Sequence, residues 1–172
     1  GVNDHRVPVY LLDTALPENS PWDRTLTDQL YGGDEHYRLC QEVVLGFGGH
    51  RLLRALGYGR LRRFHMNEGH AALLVLALLE EKLGSGTHET AVSADLIDAV
   101  REHCVFTTHT PVPAGHDQFS PELSHRVLGD RRCAWLKACG HDHRLNMTQL
   151  ALRGSRFVNG VAMKHGEVSH SL

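Results

Sequence analysis

Net charge, long apolar runs, a cysteine framework and lysine are all scarce in this 172-residue chain. The formal charge is −2 and the isoelectric point about 6.7, so no basic face marks it for nucleic acid or an anionic membrane surface. The longest apolar run, Ala71 to Leu79, is far below the roughly 18 residues a bilayer span needs, and it predicts a buried helix instead. Cys40, Cys104, Cys133 and Cys139 are too sparse and too irregularly spaced for a disulfide scaffold; this favours a reducing compartment, and cytoplasm is the expectation. The opening Gly-Val-Asn-Asp-His has neither an initiator methionine nor a charged-then-apolar leader, so further sequence upstream is expected. There is no internal repeat and no low-complexity tract.

The apolar share, 41%, is enough to bury a real core. Val7 to Asp13 is β-rich and is followed by a loop at Pro17, Asn19, Ser20 and Pro21, so it reads as a strand and a turn. A short helical pattern runs from Trp22 to Tyr31, and Gly32-Gly33 breaks it. Asp34 then offers an N-cap for a helix to Leu56, with Gly57 as its stop, although Gly46, Gly48 and Gly49 weaken its interior. Arg63 to Asn67 reads as a buried strand, Gly69 to Leu83 as a helix with Asn67 as candidate cap, Ser93 to His103 as a helix and Cys104 to Thr108 as a strand. The stretch from Gly129 to Arg144 is polar and ambiguous. Met147 to Val158 and Val161 to Val168 read as helices. Strands alternating with helices predict an α/β layer on parallel strands, and so few strands suggest part of a larger sheet. In such sheets ligands bind beyond the carboxyl ends of the strands.

Two of those ends are rich in polar groups. Thr107 to Asp117 closes a strand with hydroxyls and an imidazole and enters a loop held by Pro111 and Pro113; such an arrangement can hold hydrogen-bonding groups against a sugar, or can be a capped turn without a ligand. In His65-Met66-Asn67-Glu68-Gly69-His70, a helix cap with His70 facing a cleft fits better than a metal site, because the order is not that of zinc hydrolases. Histidine is the compositional outlier, at 14 residues. The most metal-like group, Cys133, Cys139, His141 and His143, departs from the usual zinc spacings and equally describes a loop of solvated histidines. Asp34 reads as a helix cap on its own.

In family order, the stretches Val9 to Thr14, Leu16 to Pro21, Leu30-Tyr-Gly-Gly-Asp34, Arg38-Leu-Cys-Gln-Glu42, Asn67 to Ala72, Phe106 to Asp117, Asn146 to Thr148, Val158 to Val161 and His165 to Ser169 make the chain resemble the α-glucan (glycogen, maltodextrin) phosphorylases, in particular the short bacterial and archaeal form. The resemblance implies part of the first Rossmann-like lobe of a two-lobed glycosyltransferase, residues 1–172 being a partial N-terminal lobe. It also implies reversible phosphorolysis of α-1,4-glucan ends to glucose 1-phosphate, with glucan and phosphate as partners. By the same resemblance His109 meets glucose at the reacting subsite and Asp34 belongs to the gating loop; these are the catalytic assignments. Glu68, His70, Asn67, Thr108 and Arg38 are the substrate-binding ones. Cys40 and His170 stand where the family usually has basic residues, and the extra histidines fall between motifs, which favours drift over metal binding.

The family's cofactor is pyridoxal phosphate on a Schiff-base lysine. Lysine occurs only at Lys82, Lys137 and Lys164, none in a matching motif, so no cofactor is expected on this stretch alone and no metal is assigned. Two alternatives remain: a stand-alone metal- or carbohydrate-binding module, and a remnant that self-associates through an exposed lobe interface.

Overall fold

The computed structural model describes residues 6–84, 90–109, 117–141 and 143–160. Asp34 caps α1 (Glu35–Val43): its backbone is extended and its carboxylate accepts the Tyr37 amide at 2.9 Å, satisfying one of the free N–H groups of the first turn. Gly33 precedes it at φ 75°, and a Cβ there would fall 2.5 Å from Tyr37 Cβ, so glycine is what lets the chain turn into the cap. α1 runs on through a π-helical turn, Val44–Gly48, into α2 (Gly49–Ala55). The glycines that weaken this helix sit in and beside that wider turn, and Gly46 has a packing reason as well. A Cβ on it would stand 2.8 Å from Leu73 Cβ, so its absence lets two backbones approach closely.

β1 (Phe64–Asn67) follows, then a 3-10 turn at Gly69–Ala71 and α3 (Leu74–Leu83). Every residue from Leu74 to Leu79 is buried, as expected of a helix apolar on all sides. α4 (Ala94–Arg101) is capped by Ser93, whose hydroxyl accepts the Leu96 amide at 3.2 Å, and leads into β2 (Cys104–Thr108). β3 (Gln118–Phe119) is followed by α5 (Pro121–Ala138), with Ser120 as cap and proline at its first position. β4 (Leu145–Asn146) pairs antiparallel with β3, Asn146 caps α6 (Met147–Arg153), and β5 (Phe157–Gly160) ends the described chain.

β1, β2 and β5 form one parallel sheet in that order, with Asn67 opposite Thr107 and Thr108 opposite Gly160, so their carboxyl ends share an edge. Met66 and Phe106 are fully buried beneath it with Leu73, Leu76, Leu79 and Trp135. Truncating Phe106 to alanine would cost about 3–5 kcal/mol at such a site. Among the described residues no helix is long and apolar enough to cross a membrane.

The α/β class with parallel strands is what the alternation predicts, and β1, α4, β2 and the capped α1 lie close to their expected positions. Three local expectations fail, and a stretch left open is resolved. Val7 to Asp13 pairs with no strand among the described residues, since β propensity needs a neighbour to become a strand. From Trp22 to Tyr31 only Asp23–Thr25 is helical, as one 3-10 turn. The ambiguous polar stretch is the second half of α5, which kinks at Gly129 (φ 78°) and still buries Cys133, Trp135 and Leu136. The helix expected through Val158 stops at Arg153, because Gly154 ends it and Phe157–Gly160 pairs with β2. The helix expected over 161–168 lies outside the described residues.

Candidate functional site

Polar side chains gather in two clusters at the carboxyl edge of β1 and β2. In the first, His109 follows the last residue of β2 and is exposed; its Nε2 lies 2.7 Å from Asn67 Oδ1 at the end of β1, so the ring N–H donates to the amide oxygen. The backbone N–H of His109 donates to Glu68 Oε1, and the Thr108 hydroxyl points at Glu68 Oε2 from 3.5 Å. Glu68 itself occupies the left-handed region at φ 65°, a strained conformation for a residue with a side chain. The edge register places Asn67 beside Thr107, and this is why residues far apart in the chain converge. Asn67 is therefore not the helix cap: its side chain is turned to His109, and no side chain caps the 3-10 turn that follows.

The second cluster joins α1 to the 3-10 turn and to the entrance of β3. Arg38 Nη2 donates to Asp117 Oδ2 at 2.5 Å, and His70 Nδ1 reaches the same oxygen at 3.3 Å. Glu42, one helical turn beyond Arg38, stands 3.7 Å from Arg38 Nη2 and 3.9 Å from His70 Nδ1 and is only 1% exposed. Tyr31, at φ 58°, lies against both cations: its ring centroid is 5.0 Å from the Arg38 guanidinium carbon and 5.3 Å from the His70 ring. The Asp117 carboxylate at 3.3 Å, and then the Glu42 carboxyl at 3.9 Å, raise His70 to about 9. Burial pushes Glu42 up to about 8, with Asp117 adding to the effect. Burial works against ionised Asp117 too, but the neighbouring His70, Glu42 and Arg38 outweigh it and hold this carboxyl well below the usual range. Arg38, Glu42, His70 and Tyr31 line a cavity of about 440 Å³ whose other walls include Tyr10 and Leu12.

The structure thus brings Asn67, Glu68, Thr108 and His109 together, and separately Arg38 and His70. Asp34 is placed as the cap of the helix that carries Arg38. Glu42, Asp117 and Tyr31 were not singled out as site residues from sequence. The i,i+4 spacing of Arg38 and Glu42 was the available signal for one of them. Ligand atoms of Glu42, His70 and Asp117 lie within 4.8 Å of one another, yet the Arg38 guanidinium is bonded into the group, a donor set suited to an ion-pair network rather than to a metal cation. Among the described residues Cys133, Cys139, His141 and His143 do not converge in that way, and burial pushes the Cys139 thiol up to about 11, away from the thiolate a metal requires.

Fold and site first define a class: part of a Rossmann-like α/β lobe that presents hydrogen-bonding side chains beyond the carboxyl ends of parallel strands. No protein-family model matches the chain. Its sequence is nevertheless 39% identical over 99% of its length to the maltodextrin phosphorylase of Thermococcus litoralis. It is 37% identical over 97% to the glycogen phosphorylase of Mycobacterium tuberculosis, and 33% identical over 99% to that of Aquifex aeolicus. Over nearly its whole length the chain is similar to an internal stretch of glycogen and maltodextrin phosphorylases. It spans 21% of the length of the first two of these relatives and 26% of the third.

The described residues do not fit the pyridoxal group that the family implies. Lys82 is exposed on α3, and Lys137 is exposed at a cavity of about 30 Å³, too small for a pyridine ring.

Proposed function

We propose that this chain is part of the N-terminal lobe of an α-1,4-glucan phosphorylase and supplies groups that bind the sugar. The observation that carries the proposal is the convergence of Asn67, Glu68 and His109, from two neighbouring strands, on the edge of the sheet where such folds bind ligands. Asn67 fixes the His109 ring, Glu68 accepts the His109 backbone N–H and faces the Thr108 hydroxyl, and the exposed imidazole can then meet a sugar hydroxyl without reorganising. Asp34 ends the loop that bears Tyr31 and is the candidate gate residue, while Arg38 and His70 are the candidate contacts in the neighbouring glucan region.

In the reaction proposed for the complete protein, the bond from C1 of the terminal glucose to the glycosidic oxygen breaks. C1 bonds to a phosphate oxygen, and a phosphate proton ends on the departing glucan hydroxyl. The C1 centre carries positive charge on the way, so fixed dipoles and anions near it lower the barrier. Pyridoxal phosphate would assist proton movement at the phosphate, from lysine outside this stretch. Cytoplasm is the proposed location. Val7, Val9 and Leu11, each at least 80% exposed, are the surface through which the chain would associate with itself, seen as sedimentation that depends on concentration.

The test is release of glucose 1-phosphate from maltodextrin and inorganic phosphate. Release by the complete protein and none by the 172-residue chain alone is expected. A complete protein that releases none would overturn the activity, and release by the chain alone would overturn its incompleteness.

A further inference from the structure

We propose that Glu42 is a positioning residue of the sugar site, a buried carboxyl that works with Asp117 to set the orientation and charge of Arg38 and His70. It rests on the sugar-site reading above and assigns a role to a residue that no sugar would need to touch. Both Glu42 oxygens are buried without a hydrogen-bond partner, and the nearest cationic nitrogens stand 3.7 and 3.9 Å away. A carboxyl with no donor in reach is unfavourable in a protein interior, so its neighbours must account for it.

Those neighbours are unbalanced. Arg38 on α1 and His70 on the 3-10 turn both turn to a single oxygen of Asp117, the residue that leads into β3. Tyr31 closes the group from the loop before α1. With Glu42 protonated, the four groups Arg38, His70, Asp117 and Glu42 hold one excess positive charge; when Glu42 ionises they are neutral. Burial holds the Glu42 proton well above the usual carboxylate range, and the carboxyl faces Arg38 and His70 at 3.7 and 3.9 Å. Once ionised, Glu42 is therefore the counter-charge that keeps His70 cationic, and Arg38 paired, as the pH rises.

The experiment uses the complete protein and two readouts: histidine-selective NMR titration of His70, and maltodextrin affinity from pH 6 to 10. Glu42→Gln keeps the shape but cannot ionise. At pH 6 to 7 it should bind maltodextrin within about twofold of wild type, whereas His70 and the alkaline limb of binding should both move down by about one pH unit. Glu42→Ala should weaken binding about tenfold at every pH, because Arg38 and His70 lose their neighbour. A purely structural role would leave the His70 titration of Glu42→Gln superimposed on wild type, and that result overturns the proposal. Should Glu42→Gln fail to fold, wild-type NMR decides: independent titration of His70 and the Glu42 carboxyl overturns the proposal, and titration as a coupled pair upholds it. If His70 moves in Glu42→Gln while wild type binds no maltodextrin, the pairing holds and the sugar-site reading is what fails.

Discussion

Around His109 an exposed imidazole is held by one amide oxygen while the residue's own backbone N–H donates to Glu68; around His70 a half-buried imidazole shares a carboxylate with a guanidinium, above a second carboxyl sealed from water. Both clusters sit at the same edge of the sheet and use the same few residue types. Their difference is burial. Where water reaches the ring, hydrogen bonds orient it and leave one side open for a ligand. Where water is excluded, charges set one another's protonation, and the cluster becomes part of what holds α1 to the rest of the lobe.

Mutations should separate the two. His109→Ala in the complete protein is expected to lower kcat/KM by about 10²- to 10³-fold, the loss typical of removing one preorganised hydrogen-bonding group, with an unchanged urea midpoint. Asp117→Ala should behave in the opposite way in equilibrium unfolding, costing about 2–3 kcal/mol, because Arg38 and His70 lose their shared acceptor while half-buried. Equal effects of the two changes on stability would remove the distinction between the clusters.

The pH dependence sharpens it further. His70 has its folded pKa raised from 6.5 to about 9, so its stabilisation is full below pH 6.5 and disappears as the pH rises through 9. Glu42, raised from 4.5 to about 8, loses its contribution in the same direction. Asp117 is lowered from 3.8, so its share is present above that value and is lost as the pH falls. Urea midpoints should therefore drop between pH 6 and pH 9, and the drop should shrink in Glu42→Gln while persisting in His109→Ala. The smallest effect is expected at Tyr31→Ala: loss of the ring over Arg38 should cost about 0.5–1 kcal/mol in unfolding free energy, with the left-handed backbone strain unchanged because alanine keeps the Cβ.

Reading forward from sequence, β1 and β2 were legible because short apolar runs end in polar groups, and α4 because Ser93 stands at its start. The buried helix at Leu74 to Leu79 was legible from hydropathy alone. α5 was not: its polar composition and a glycine in mid-helix hid a face that buries Trp135. β5 was hidden for a different reason, since Phe157–Gly160 becomes a strand only by pairing with β2, some fifty residues earlier in the chain. At the site, the polar strand ends that carry Asn67, Glu68, Thr108 and His109 are legible in the residue pattern, while their sugar-site roles rest on the resemblance. The partnership of Arg38 with Asp117, 79 positions apart, was not, because no local pattern relates a residue on a helix to one before a distant strand.

By itself the sequence determined the class of fold and which strand ends carry polar chemistry, because these depend on the order and periodicity of residue types along the chain. Only the tertiary structure decided which imidazole is open to a ligand and which is locked among charges. It also decided that Glu42 is buried beside them, because burial and charge pairing arise from elements that meet across the sheet.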